Sequence, residues 1–262
     1  MVVDKLINPR VIPILLIDGE RLVKTRRFRS PVYLGDPLNV IRIFNEKEVD
    51  EIIVLDIGAS LRGVGPNLTF LKELASECFI PVTYGGGISN VDDASRVFES
   101  GIEKISIQSA AFFEPKIIYE LSRRYGSQAV VVSFDINKDW FGHKKLMISS
   151  RKQAVRGNWL EHLRIAAAEG AGEVLLGSIP NDGEMRGLDL GLIEEASKIL
   201  DVPLIAVGGV GSFSDIVSGI KAGADAVACG SFFVFNGPHR AVLISYPERE
   251  KIDGLGEVVE HI

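Results

Sequence analysis

One pattern occurs twice in this chain. "IPVTYGGGISNVDDASRVFESGIEKISIQSA" starts at Ile80 and "VPLIAVGGVGSFSDIVSGIKAGADAVACGSF" starts at Val202; they align at an offset of 122 residues without a gap. Pro81 meets Pro203, Gly86 meets Gly208, Gly87 meets Gly209, Asp93 meets Asp215, Gly101 meets Gly223 and Ser109 meets Ser231. Each copy reads as a strand, a glycine-rich turn, a helix ending at glycine, and another strand. Such a repeat restricts the fold to one that closes from two like halves, and what one half binds the other is placed to bind too.

The strands supply the closure. Eight Val- and Ile-rich runs occur at 11–17, 51–57, 80–86, 103–109, 129–135, 173–179, 202–209 and 225–231. Most are apolar on both faces, as buried parallel strands are. Helical patterns lie between them at 36–48, 90–101 and 212–223. Alternating strands and helices predict βα units, and eight of them predict an α/β fold of (β/α)₈ barrel type with a half-barrel duplication. The 262 residues fit one such domain over 1–262. Its half-barrels are expected at about 10–125 and 126–247, with a tail over 248–262. At its start, "VIPILLIDGERLVKT" reads as a buried strand running into a basic loop.

Composition removes several functions. A net charge of −6 gives no footprint for nucleic acid, although "KTRRFR" (24–29) suits a phosphorylated ligand. Cys78 and Cys229 read as buried thiols of a reducing cytoplasm, not as a disulfide framework. No apolar run is long enough for a membrane span, and "MVVDKLINPR" does not read as a signal peptide. His143, His162, His239 and His261 have no metal spacing, so neither metal nor cofactor is expected.

Sites in a barrel lie where strands end and loops begin. "GGG" (85–87) and "GGVG" (208–211) fall there, each followed one unit later by a small polar strand end, "QSA" (108–110) and "CGS" (229–231). Glycines let backbone N–H groups approach an anion closely. Two matched clusters favour a pair of phosphate cradles over mere tight turns. Candidate phosphate residues are Gly87, Gln108 and Ser109 in one, Gly208, Gly209, Gly230 and Ser231 in the other, and Gly183. Asp135 closes an apolar strand and reads as a general acid or base. Asp56 reads as a supporting charge, and Asp182 as part of a polar turn. At the opposite strand ends Arg10, Glu51, Lys104 and Glu173 read as a salt-bridged ring.

"DEIIVLDIGAS", "VTYGGGI", "EKISIQSAA", "YGSQAVVVSFD", "GAGEVLLGSIPNDG" and "VGGVG", in this order, resemble the cyclase subunit of imidazole glycerol phosphate synthase, the HisF family, from about residue 10 to 235. The resemblance implies two phosphate sites for a bis-phosphorylated substrate and a glutaminase docked on the barrel bottom. It also implies that Arg10, Glu51, Lys104 and Glu173 form a gate for ammonia. It places one catalytic aspartate at Asp135 and the other, by alignment on "RLVK", at Leu16. Asp18, two residues on, is the candidate substitute. The piece "FFVFNGPHRAVLISYP" (232–247) resembles a divergent HisF-like branch that tends to lack the first aspartate. That branch works with a HisH-like glutaminase and a separate sugar amidotransferase to make acetamidino groups on surface sugars. The resemblance thus implies an ammonia-conducting barrel whose own cyclase activity is weak or lost. The alternatives are a working histidine-pathway cyclase in which Asp18 or water replaces the acid, and a non-catalytic scaffold that binds a phosphorylated ligand.

Overall fold

The computed structural model describes residues 8–237 and 239–256. His261, the last part of the expected tail and most of "MVVDKLINPR" lie outside the described residues. Eight strands form a closed ring: β1 (Arg10–Asp18), β2 (Ile52–Asp56), β3 (Val82–Gly85), β4 (Lys104–Ile107), β5 (Val130–Lys138), β6 (Glu173–Ser178), β7 (Leu204–Val207) and β8 (Ala226–Cys229). Every neighbouring pair is parallel, and β8 returns to β1. Helices intervene between the strands, so the fold is the (β/α)₈ barrel that the strand count predicts.

Successive side chains in a strand point to opposite faces. Val11, Leu15, Val54, Ile105 and Val132 pack outward under the helices. Ile12, Ile14, Ile53, Val131, Leu175 and Ile205 fill the bore. The bore is not apolar throughout: buried Thr83, Ser106 and Ser133 occupy its β3–β5 wall. Ser106 and Ser133 share a hydrogen bond of 2.6 Å. Through the repeat, Thr83 and Ser106 correspond to Ile205 and Ala228. One half of the interior is polar where its twin is not.

The repeat extends to details. Helix Val91–Glu99 starts at Asn90 and helix Phe213–Lys221 starts at Ser212. Asp93 accepts from the Ser89 N–H at 3.1 Å, as Asp215 accepts from the Gly211 N–H at 2.9 Å. Gly101 and Gly223 follow the helices at φ of 95° and 103°, the left-handed stop that glycine permits. Glu103 accepts from the Val82 N–H, as Asp225 accepts from the Leu204 N–H.

Two expectations need correction. The basic segment after β1 is not a loop but an antiparallel hairpin, Arg21–Arg26 with Arg29–Gly35, that prolongs β1. In Arg21–Arg26 the central Leu22, Val23, Lys24 and Thr25 are all buried, so charge alone misreads the segment. β5 likewise turns back as strand Lys144–Ile148. Each half therefore raises its first strand into a hairpin above the mouth. Cys229 is buried, but Cys78 is only half-buried.

At the barrel bottom the four charges close into a ring. Arg10 contacts Glu51 at 2.7 Å and Glu173 at 3.1 Å, and Lys104 reaches both acids at 3.2 Å. Thr83 donates to the other Glu51 oxygen at 2.8 Å. Beyond the barrel, the Tyr246 hydroxyl donates to the Val11 carbonyl at 2.8 Å, and Ile252 is buried.

Candidate active site at the barrel mouth

A cavity of about 530 Å³ opens at the C-terminal ends of the strands. Glycine conformation shapes both sides of it. Gly86 and Gly208 have φ of 123° and 100°, and a Cβ on either would lie 2.4 Å and 3.0 Å from the carbonyl oxygens of Asp56 and Ser178. The tight-turn role is therefore real, and it coexists with backbone exposed to the cavity. Gly87, Gln108 and Ser109 line one side and Gly208 the other. A small recess beside Gly208 is walled by Gly183, Gly209, Gly230, Ser231 and Lys24. The Ser231 hydroxyl is buried there without a hydrogen-bond partner among the described residues. Lys24 Nζ would stand 2.5 Å from a Cβ on Gly230. Lys24 Nζ lies 3.8 Å from Asp182 Oδ1, which also walls the recess, so the anion-suited features are a buried orphan hydroxyl and an ammonium shared with one carboxylate. Lys24 is the first residue of the basic cluster 24–29 that the sequence assigns to a phosphorylated ligand; within that cluster it is the lysine of an otherwise buried strand.

Asp135 stands in the cavity wall. Gln108 Nε2 donates to its Oδ2 at 2.5 Å, and Ser149 Oγ donates to the same oxygen. Gln108 thus spends its side-chain amide on Asp135 and offers only its backbone to the cradle. Burial pushes the Asp135 carboxyl up to about 6, against the pull of the hydrogen bonds from Ser149 and Gln108, and Asp182 adds to the rise. An acid poised there can gain or lose a proton near neutral pH.

Leu16 also lines the cavity. The pairing registers relate it to Asp135. Leu16 lies beside Leu55 on β2, and Asp135 lies beside Gly177 on β6. Leu55 and Gly177 are separated by the repeat offset, so Leu16 occupies the twin position of Asp135. Asp18 is not brought to the cavity. It pairs with Arg62, and its side chain is 43% exposed. Asp56 accepts from the Gly58 and Ala59 N–H groups at 2.9 Å and 3.0 Å, and burial raises its pKa. Its place is a turn support at the cavity edge.

Asp182 proves to be more than a turn residue. Buried, it accepts from the Thr25 hydroxyl at 3.0 Å, and its carbonyl accepts from the Arg27 N–H at 2.9 Å. Glu184 binds Arg26 at 2.6 Å and Arg27 at 2.7 Å. The loop after β6 therefore clamps the first hairpin across the mouth. No group of side chains able to hold a metal occurs among the described residues. No helix among them is long and apolar enough to cross a membrane.

A duplicated (β/α)₈ barrel with paired glycine–serine turns and a half-buried carboxylate at its mouth defines the class of protein. The histidine biosynthesis protein family matches residues 10–238, and the chain belongs to that family, in its HisF division. It is 44% identical over 249 residues to a Pseudomonas aeruginosa protein provisionally named imidazole glycerol phosphate synthase subunit hisF2, covering 95% of this chain and 99% of that one. It is 43% identical over 254 residues to a Vibrio vulnificus protein provisionally named subunit hisF3, covering 94% and 96%. The imidazole glycerol phosphate synthase subunit HisF of Helicobacter hepaticus is 41% identical over 224 residues, covering 86% and 89%.

Proposed function

We propose that this chain is a HisF-type subunit of a glutamine amidotransferase complex. It receives ammonia from a HisH-like glutaminase at the ring of Arg10, Glu51, Lys104 and Glu173 and delivers it at the mouth, for acetamidino-sugar formation with a sugar amidotransferase. The carrying observation is the inequality of twin positions: Asp135 retains its carboxylate, while Leu16 fills the other site with apolar bulk. A cyclisation needing two positioned acids loses one of them, whereas the bottom ring is complete. Asp18 is held by Arg62, which disfavours the alternative of a working histidine-pathway cyclase with Asp18 as the substitute acid.

The test is ammonia-dependent turnover of the bis-phosphorylated cyclase substrate. The natural protein is expected to be silent, and Leu16→Asp to gain turnover by at least about a hundredfold over background, the usual scale for a positioned acid–base group. Turnover by the natural protein would instead make it a histidine-pathway enzyme. A protein that binds its partners but passes no ammonia would be a scaffold.

The recess walled by Gly209, Gly230 and Ser231 is proposed as one of two phosphate sites. Lys24→Met is expected to weaken inorganic phosphate binding there by about tenfold, the scale of one charge-assisted hydrogen bond. Calorimetric titration checks this, and unchanged affinity would remove Lys24 from the site.

A further inference from the structure

We propose that Ser149 is a positioning residue for Asp135: together with Gln108 it ties down Oδ2 and leaves Oδ1 as the oxygen that exchanges a proton. The inference rests on the reading of Asp135 as the acid–base group and adds the device that orients it.

Ser149 follows strand Lys144–Ile148, whose Met147 pairs with Asp135. The second hairpin thus leaves the end of β5, turns, and brings a hydroxyl back to the residue from which it departed. Three hydrogen bonds close a triangle. Ser149 Oγ donates to Asp135 Oδ2, Gln108 Nε2 donates to the same oxygen, and the Ser149 N–H donates to Gln108 Oε1 at 3.1 Å. The last bond fixes the amide. With its oxygen facing an N–H, its nitrogen must face the carboxylate.

The other oxygen is treated differently. Among the described residues nothing donates to Oδ1. Gly177 lies beside Asp135 in register, and a Cβ there would come within 2.9 Å of Oδ1. Space around Oδ1 therefore depends on a missing side chain. With two donors on Oδ2, the neutral carboxyl carries its proton on Oδ1. Asp182, Asp56, Lys24, Arg29 and Lys152 line the same cavity and set its wider field. Of these, Asp182 pushes the Asp135 proton affinity upward.

Donors to a carboxylate favour its charged form, so losing one raises the pH at which it titrates. The experiment is a ¹³C-NMR titration of the aspartate carboxyls, with Asp135→Asn identifying the signal. The natural protein is expected to titrate near 6. Ser149→Ala is expected to move the midpoint up by about one pH unit, and Ser149→Thr, which keeps the hydroxyl, to restore it. A purely structural Ser149 would leave the midpoint of the folded variant unchanged, and that result overturns the proposal. If Ser149→Ala does not fold, the near-isosteric Ser149→Cys, a weaker donor, must move the midpoint in the same direction or the proposal fails. The titration needs no turnover. A Leu16→Asp protein that stays fully active after Asp135→Asn would sink the acid–base reading while leaving the triangle intact.

Discussion

Asp135→Asn is expected to abolish the turnover gained by Leu16→Asp, by about 10²–10⁴-fold, and to make the barrel more stable at pH 8. The two effects share one origin. Burial lifts the Asp135 carboxyl to about 6, so the folded chain holds this proton more tightly than the unfolded chain. Well below the ordinary aspartate value of 3.8 both states are protonated and the group is neutral in its effect. Between an ordinary carboxylate pKa and 6, stability falls as pH rises. Above 6 the cost of a charged, half-buried carboxylate is fully present, on the order of 1–3 kcal/mol. Asparagine keeps an acceptor for Gln108 and Ser149 and carries no charge. Thermal unfolding of the two proteins at pH 4 and pH 8 checks this; a gain in stability as large at pH 4 as at pH 8 would contradict it.

Lys104→Ala is expected to cost about 3–5 kcal/mol, because removing one partner of a buried ion cluster leaves charge uncompensated. Lys104 reaches both ring acids, and the Glu51 side chain is only 4% exposed. Arg10 would then face two buried carboxylates alone. Replacing all four ring residues by apolar ones of similar volume is expected to cost far less, since such swaps are often neutral or stabilising. Denaturant unfolding of both variants decides the matter. If the apolar ring is as stable as the charged one, the charges are kept for something other than stability, as a gate requires. If it is much less stable, the salt-bridged ring is sufficient reason for them.

The barrel itself was legible because its cause is local. Runs apolar on both faces leave little alternative to a buried parallel sheet, and the glycines that end helices at Gly101 and Gly223 act through their own backbone. The mouth was less legible because its geometry is set by pairings between distant segments. Asp182 reads as a turn aspartate until Thr25 is brought to it across the barrel. Asp18 shares a strand with Leu16, yet the prolonged β1 carries it to Arg62. Ser149 follows a short strand with no sequence signal, and only the return of the hairpin gives it Asp135. Lys24 looks like one cation in a basic stretch, but strand pairing buries it above the recess.

The clamp of Arg26 and Arg27 on Glu184 is made where both arginines remain 59% exposed. A cover seated by apolar packing answers mainly to temperature. This hairpin has both packing and ion pairs: its centre is buried, and its arginine ends are open to mobile salt, which screens exposed charges while the Glu184 side chain, 5% exposed, is screened less. Added salt therefore loosens only the arginine end of this fastening, while Leu22, Val23 and Thr25 stay packed beneath it.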